Sequence, residues 1–123
     1  KLKNDLIKRI EIRKLYIEGL KNVPGIIIPF ENNDNFVSNY IFPIVLDSSN
    51  RDNRDNIRNK LHDKGIQTSV HYPPVHRFSI YKNDYLDLPN TDYVANNEIT
   101  LPMYSKLSVQ DLKYIINTFK KSL

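Results

Sequence analysis

Gly65 stands where two periodicities meet, and that junction constrains the chain more than any other position. Upstream, RDNIRNKLHDKG places Ile57 and Leu61 four residues apart, on one face of a helix. Downstream, IQTSVHY alternates Ile66, Thr68 and Val70 against Gln67, Ser69 and His71, the period of a strand. Glycine can end a helix in left-handed geometry, and Ile66 just beyond it can fold back on the last turn. A helix that feeds directly into a strand is therefore predicted, with His71 leaving the sheet on its polar face.

The remaining segments extend this pattern. Leu2, Leu6, Ile10, Ile17 and Leu20 mark an apolar stripe on a first helix that should stop before Pro24. GIIIPF reads as a short buried strand ending at Pro29, and ENNDN as a polar loop. A second strand is predicted from Tyr40 to Asp47, where Pro43 implies an edge position or a bulge. PPVHRFSIYKNDYLDLPN is a long aromatic loop, TDYVANNEI a short helix and ITLPMY a brief strand closed by Pro102. The last helix is the best specified. Ser108 and Asp111 form a capping box, Leu107 and Leu112 a hydrophobic staple, and Leu112, Ile115, Ile116 and Phe119 a buried stripe. This order predicts an α+β fold, a small antiparallel or mixed sheet with helices packed on one face.

Composition narrows the chemistry. A chain of 123 residues is one domain by length. The lack of cysteine excludes disulfides, thiolate metal sites and cysteine nucleophiles. The same lack is compatible with a reducing, cytoplasmic setting, and since no apolar run approaches the roughly eighteen residues of a membrane span, a soluble protein is expected. The formal charge of +4 is spread among acids and reads as solvated helix faces rather than a nucleic-acid surface. The three glycines, Gly19, Gly25 and Gly65, lie far apart, which excludes a Walker loop and a dinucleotide-binding glycine fingerprint. The chain opens on Lys-Leu-Lys, already within a helical pattern. Residues 1–22 are accordingly expected to continue from, or pack upon, another domain.

His71 and His76 flank Pro73-Pro74. A catalytic zinc needs a third protein ligand, and His62 has no recognisable ligand spacing to either, so no metal site is expected. General acid/base work and a hydrogen-bonded structural role both fit a histidine here. Two fixed φ angles stiffen the segment from Tyr72 to Val75, as suits a substrate-facing loop. Tyr72, Phe78 and Tyr81 fit equally well as a cover over the sheet edge. Asp84, Asp87 and Asp92 read as turn formers and helix caps.

Taken together, KRIEIRKLYIEGLKNVPGIIIP, RDNIRNKLHDKGIQTSVHYPPVH and LPNTDYVANNEITLPMYSKLSVQDLKYII closely resemble the C-terminal part of the DegT/DnrJ/StrS family of sugar aminotransferases, over almost the whole chain. The resemblance implies the small domain of a fold-type-I pyridoxal phosphate (PLP) enzyme that moves an amino group, usually from glutamate, to a keto carbon of a nucleotide-linked sugar. It also implies that the Schiff-base lysine, the partner of the pyridine nitrogen and most phosphate contacts belong to an N-terminal domain. None of the lysines here lies in the family's active-site lysine context. By the same resemblance, His71, Tyr72, His76 and Tyr81 are substrate-binding candidates. No catalytic, cofactor-binding or metal residue is expected within the chain, and the intact protein is expected to be a homodimer. Arg-Phe-Ser-Ile-Tyr after His76 departs from a more polar run in relatives, and Asn96 and Asn97 stand where the family more often has small or apolar residues. Two other classes stay open at this level: a stand-alone nucleotide-sugar-binding module, and a nucleic-acid module built on the basic helices.

Overall fold

The computed structural model describes residues 1–81 and 86–123; Asp84, read above as a turn former, lies outside them. Among the described residues four helices and three strands follow the order α1 (Leu2–Leu20), β1 (Ile26–Ile27), β2 (Phe42–Leu46), α2 (Arg51–Asp63), α3 (Pro89–Asn97), β3 (Glu98–Leu101), α4 (Val109–Ser122). The long loop before α3 carries two short 3-10 turns, Val75–Arg77 and Ser79–Tyr81. No helix among the described residues is long and apolar enough to cross a membrane.

The strands form one antiparallel sheet in the order β1-β2-β3, with Ile27 opposite Val45, Ile44 opposite Ile99 and Phe42 opposite Leu101. Strand alternation gives the sheet two unlike faces. Phe42, Ile44, Leu46, Ile99 and Leu101 point to the core, where they meet Ile12, Tyr16 and Leu20 of α1, Ile57 and Leu61 of α2, and the stripe Leu112, Ile115, Ile116 and Phe119 of α4. Pro43, Val45, Glu98 and Thr100 belong to the opposite face. The predicted α+β arrangement is thus the observed one.

Several details differ from expectation. Pro43 lies in the central strand, not at an edge. Its partner Thr100 gives both backbone groups to Ser69, at 2.8 and 3.2 Å, so Pro43 and Thr100 form a pair without mutual hydrogen bonds. The Pro43 nitrogen therefore points toward β1, whose pairing stops at Val45, and no ladder bond is lost. The strand expected over IQTSVHY shrinks to one bridge, Ser69 to Thr100. Side chains take over its backbone groups: Arg58 donates to the Thr68 carbonyl at 3.3 Å, and His71 N–H donates to Glu98 Oε2 at 2.9 Å. β1 is shorter than GIIIPF suggested, although Ile28 beyond it is buried.

In α1 the buried face is Ile12, Tyr16 and Leu20; of the predicted stripe Leu20 is buried and Ile17 packs partly against the core, while Leu2 is 73% exposed. Tyr16 enters the core because its hydroxyl has a partner there, donating to the Pro102 carbonyl at 2.8 Å. Gly19 lets α4 come close, since a Cβ at that position would stand 2.9 Å from Ile116 Cδ1.

Helix ends follow local chemistry. Asn50 caps α2 by accepting the Asn53 N–H at 2.9 Å. At its other end Gly65 has φ +75°, Gly65 N–H donates to the His62 carbonyl at 2.8 Å, and Ile66 N–H to the Leu61 carbonyl at 2.9 Å. That pair of bonds is a Schellman motif. Ser108 caps α4 through the Asp111 N–H at 3.0 Å, with Leu107 and Leu112 both buried beside it.

Candidate functional site

The face of the sheet turned away from the helical core carries the polar groups. Glu98 and Thr100 alternate onto it from β3, and the bridge at Ser69 brings the following segment across them. The Glu98 carboxylate is 3% exposed, yet both oxygens are satisfied: Oε2 accepts the His71 N–H at 2.9 Å, and Oε1 accepts the Thr100 hydroxyl. His71 Nδ1 lies 2.9 Å from Thr100 Oγ1. His71 thus leaves the sheet on the polar side, as alternation predicted, with its backbone and ring both anchored to β3.

Beside this anchor opens a pocket of about 810 Å³. His71, Ser69, Thr100, Gln67, Tyr40 and Tyr104 supply its polar wall, while Met103, Leu107 and Ile115 supply apolar surface. Such a lining, with hydroxyls, an amide and an imidazole around aromatic and aliphatic groups, suits a polyhydroxylated ligand. Tyr72 stacks edge-on against His71, with ring centroids 4.8 Å apart, and is 66% exposed. The neighbouring Tyr40 phenol, more than partial burial, raises the Tyr72 pKa above the ordinary value for a phenol. Since Tyr40 also lines the pocket, Tyr72 stands next to its wall.

The other two candidates lie elsewhere. His76 turns toward α3, where Nε2 is 2.9 Å from Asp92 Oδ1; Arg77 reaches the same oxygen at 2.7 Å and also donates to Asn96 Oδ1 at 3.2 Å. The turn after the paired prolines is therefore pinned to α3 by Asp92 and Asn96. Asp92 does more than sit in the first turn of a helix. Tyr81 occupies the second 3-10 turn and remains partly exposed. The structure brings His71 and Tyr72 together and sets His76 and Tyr81 apart from the pocket wall. Among the described residues no cluster of three or more histidine, aspartate or glutamate side chains is arranged to hold a metal ion.

A second, smaller cleft of about 380 Å³ is lined by Arg51, Arg54, Arg58, Arg77 and Asp55. Its charges are largely engaged in holding the fold. Arg54, 4% exposed, donates to Asp55 Oδ1 at 2.7 Å and to the carbonyls of Ala95 and Glu98 at 3.1 and 3.3 Å, tying α2 to the α3–β3 junction.

Sequence reasoning missed Glu98, Thr100, Tyr40 and Tyr104. The helical reading of TDYVANNEI includes Glu98, which hides its two-residue spacing from Thr100. Read as a strand, Glu-Ile-Thr-Leu places both polar side chains on one face and both aliphatic ones on the other.

A lobe of this architecture recurs in solved aminotransferases. The aminotransferase TlmJ from Streptoalloteichus hindustanus superposes with a TM-score of 0.88 at 27% identity, over 98% of this chain and 32% of that one. DesV of S. venezuelae, solved in complex with a ketimine intermediate, gives 0.83 at 26% identity, over 95% of this chain and 31% of that one. The sequence profile of the DegT/DnrJ/EryC1/StrS aminotransferase family matches residues 1–120, and the chain belongs to that family. It is 29% identical over its whole length to dTDP-4-dehydro-2,3,6-trideoxy-D-glucose 4-aminotransferase of Saccharopolyspora spinosa, covering 31% of that protein. It is 28% identical to dTDP-4-amino-4,6-dideoxy-D-glucose transaminase of Shigella dysenteriae, over 92% of this chain and 32% of the relative. The chain therefore spans about a third of the length of the curated relatives it matches.

Proposed function

We propose that residues 1–123 form the C-terminal small domain of a PLP-dependent aminotransferase that moves an amino group from glutamate to the keto carbon of a nucleotide-linked sugar, in polysaccharide or glycan biosynthesis. One observation carries the reading: in a chain of this family, His71 is locked to β3 and lines a pocket rich in hydroxyl and aromatic groups. His71 and Tyr72 would contact the sugar, and His76 would act at one remove by fixing the turn to Asp92. In the intact protein the lobe packs against an N-terminal cofactor-binding domain, within a cytoplasmic homodimer.

Spr1654 of Streptococcus pneumoniae, solved in a PLP-form, matches this chain with a TM-score of 0.84 at 30% identity. PLP chemistry uses an amine to hold the cofactor as an imine, cations for its phosphate and a charge partner for its ring. Among the described residues the pocket wall contains no lysine and no arginine. It does not fit PLP by itself, so the cofactor is assigned to the other domain. What this chain supplies is substrate orientation.

Two measurements test the proposal. Mixed with PLP, the chain alone should develop no stoichiometric Schiff-base absorbance band; such a band would overturn the division of labour. Produced together with the cofactor-binding region, it should support glutamate-dependent amination of a 4-keto nucleotide sugar. There, His71→Ala should lower kcat/KM by about tenfold or more, the equivalent of one polar contact to substrate, with the bound-PLP spectrum unchanged. Full activity in His71→Ala, or tight nucleotide-sugar binding by the lobe alone, would contradict the reading.

A further inference from the structure

The polar groups behind His71 form a directed chain. As a carboxylate, Glu98 can only accept hydrogen bonds, and its Oε1 accepts from the Thr100 hydroxyl. A threonine hydroxyl has a single proton. With that proton aimed at Glu98, Thr100 Oγ1 can only accept from His71 Nδ1, 2.9 Å away, so Nδ1 must carry hydrogen. In the neutral ring the lone pair is then on Nε2. No protein group among the described residues hydrogen-bonds to that nitrogen, and His71 is one of the residues that line the pocket. The second bond to Glu98, from His71 N–H at 2.9 Å, fixes the backbone and so the direction in which the ring leaves it.

We infer that Glu98 and Thr100 are positioning residues that hold His71 in its Nδ1–H tautomer and present Nε2 to the pocket as a hydrogen-bond acceptor. The ligand group that meets it must be a donor, such as a sugar hydroxyl. A carbonyl, carboxylate or fully ionised phosphate oxygen would face lone pair against lone pair. A polar site tuned in this way discriminates strongly, because a mismatched ligand leaves a desolvated group unpaired. The tautomer assignment depends only on the geometry of His71, Thr100 and Glu98. Naming the donor as a sugar hydroxyl rests on the proposed nucleotide-sugar reading.

The test is a long-range proton–nitrogen correlation spectrum of the 15N-labelled chain at about pH 8.5, some two units above the ordinary imidazole pKa. His71 should show a protonated-type Nδ1 and a lone-pair-type Nε2, the reverse of the form a neutral histidine side chain favours in water. Thr100→Ser, which keeps the hydroxyl, should preserve the pattern, and Thr100→Val should lose it. An Nε2–H ring in the unsubstituted chain, or in Thr100→Ser, would overturn the assignment even if Thr100→Val fails to fold. So would an unchanged pattern in a folded Thr100→Val. In the chain produced together with its cofactor-binding region, added dTDP-glucose should shift the Nε2 resonance, where dTDP alone should not. If the tautomer is as stated but dTDP-glucose leaves Nε2 unmoved, the sugar-hydroxyl assignment fails while the positioning roles of Glu98 and Thr100 stand.

Discussion

Tyr16 illustrates how one side chain can tie a helix to the sheet. Its ring stacks on Phe42 of β2 with centroids 4.5 Å apart, and its hydroxyl reaches the Pro102 carbonyl just past β3. Burial, with a smaller contribution from Tyr104, pushes its phenol pKa well above the ordinary 10.0. The unfolded chain therefore ionises at this position first. The stability it contributes is intact below about pH 10 and is lost as pH climbs beyond that value. Tyr16→Phe should lose about 1 kcal/mol near neutrality, the worth of one buried hydrogen bond. Its melting temperature should then fall less steeply than that of the unsubstituted protein above pH 10. Parallel melting curves from neutral to strongly alkaline pH would show that the phenol does not titrate differently in the two states. The sequence marks α1 by its aliphatic stripe, and Tyr16 stands outside it because its hydroxyl reads as polar until a distant carbonyl is placed opposite it.

At the level of elements, what could be read from the sequence was what neighbours in the chain decide. Ile57 and Leu61, the stop at Gly65, and the Ser108–Asp111 cap are governed by residues within a turn or two of one another, and each is found as expected. Gly65→Ala should reduce stability by about 1–2 kcal/mol, since a Cβ is forced into left-handed backbone geometry. No neighbour crowds the added methyl, so the loss should appear as a shifted urea midpoint with an unchanged slope. The elements that differ are those whose partners are remote in sequence. The segment after Gly65 became one bridge because Arg58 and Glu98 claimed its polar groups. Pro43 settled in the middle of the sheet because β1 happens to end beside it. Likewise His71 was visible as a candidate, whereas the Glu98–Thr100 support behind it required knowing that a strand begins at Glu98.

Over the whole molecule, the sheet separates two kinds of sensitivity. Ile44, fully buried between the helices and β3, should cost about 2–5 kcal/mol when replaced by alanine, enough to threaten folding of a lobe this size. Ser69, exposed on the pocket side, should tolerate alanine within about 0.5 kcal/mol. Thermal denaturation of the two variants would expose the contrast, and comparable losses in both would refute it. The alternation that produces this contrast also has an evolutionary consequence. Successive residues of β3 answer to different selective demands: Ile99 and Leu101 to the core, Glu98 and Thr100 to the hydrogen bonds that hold His71. Point changes on the pocket side can therefore alter its lining while the scaffold is inherited intact.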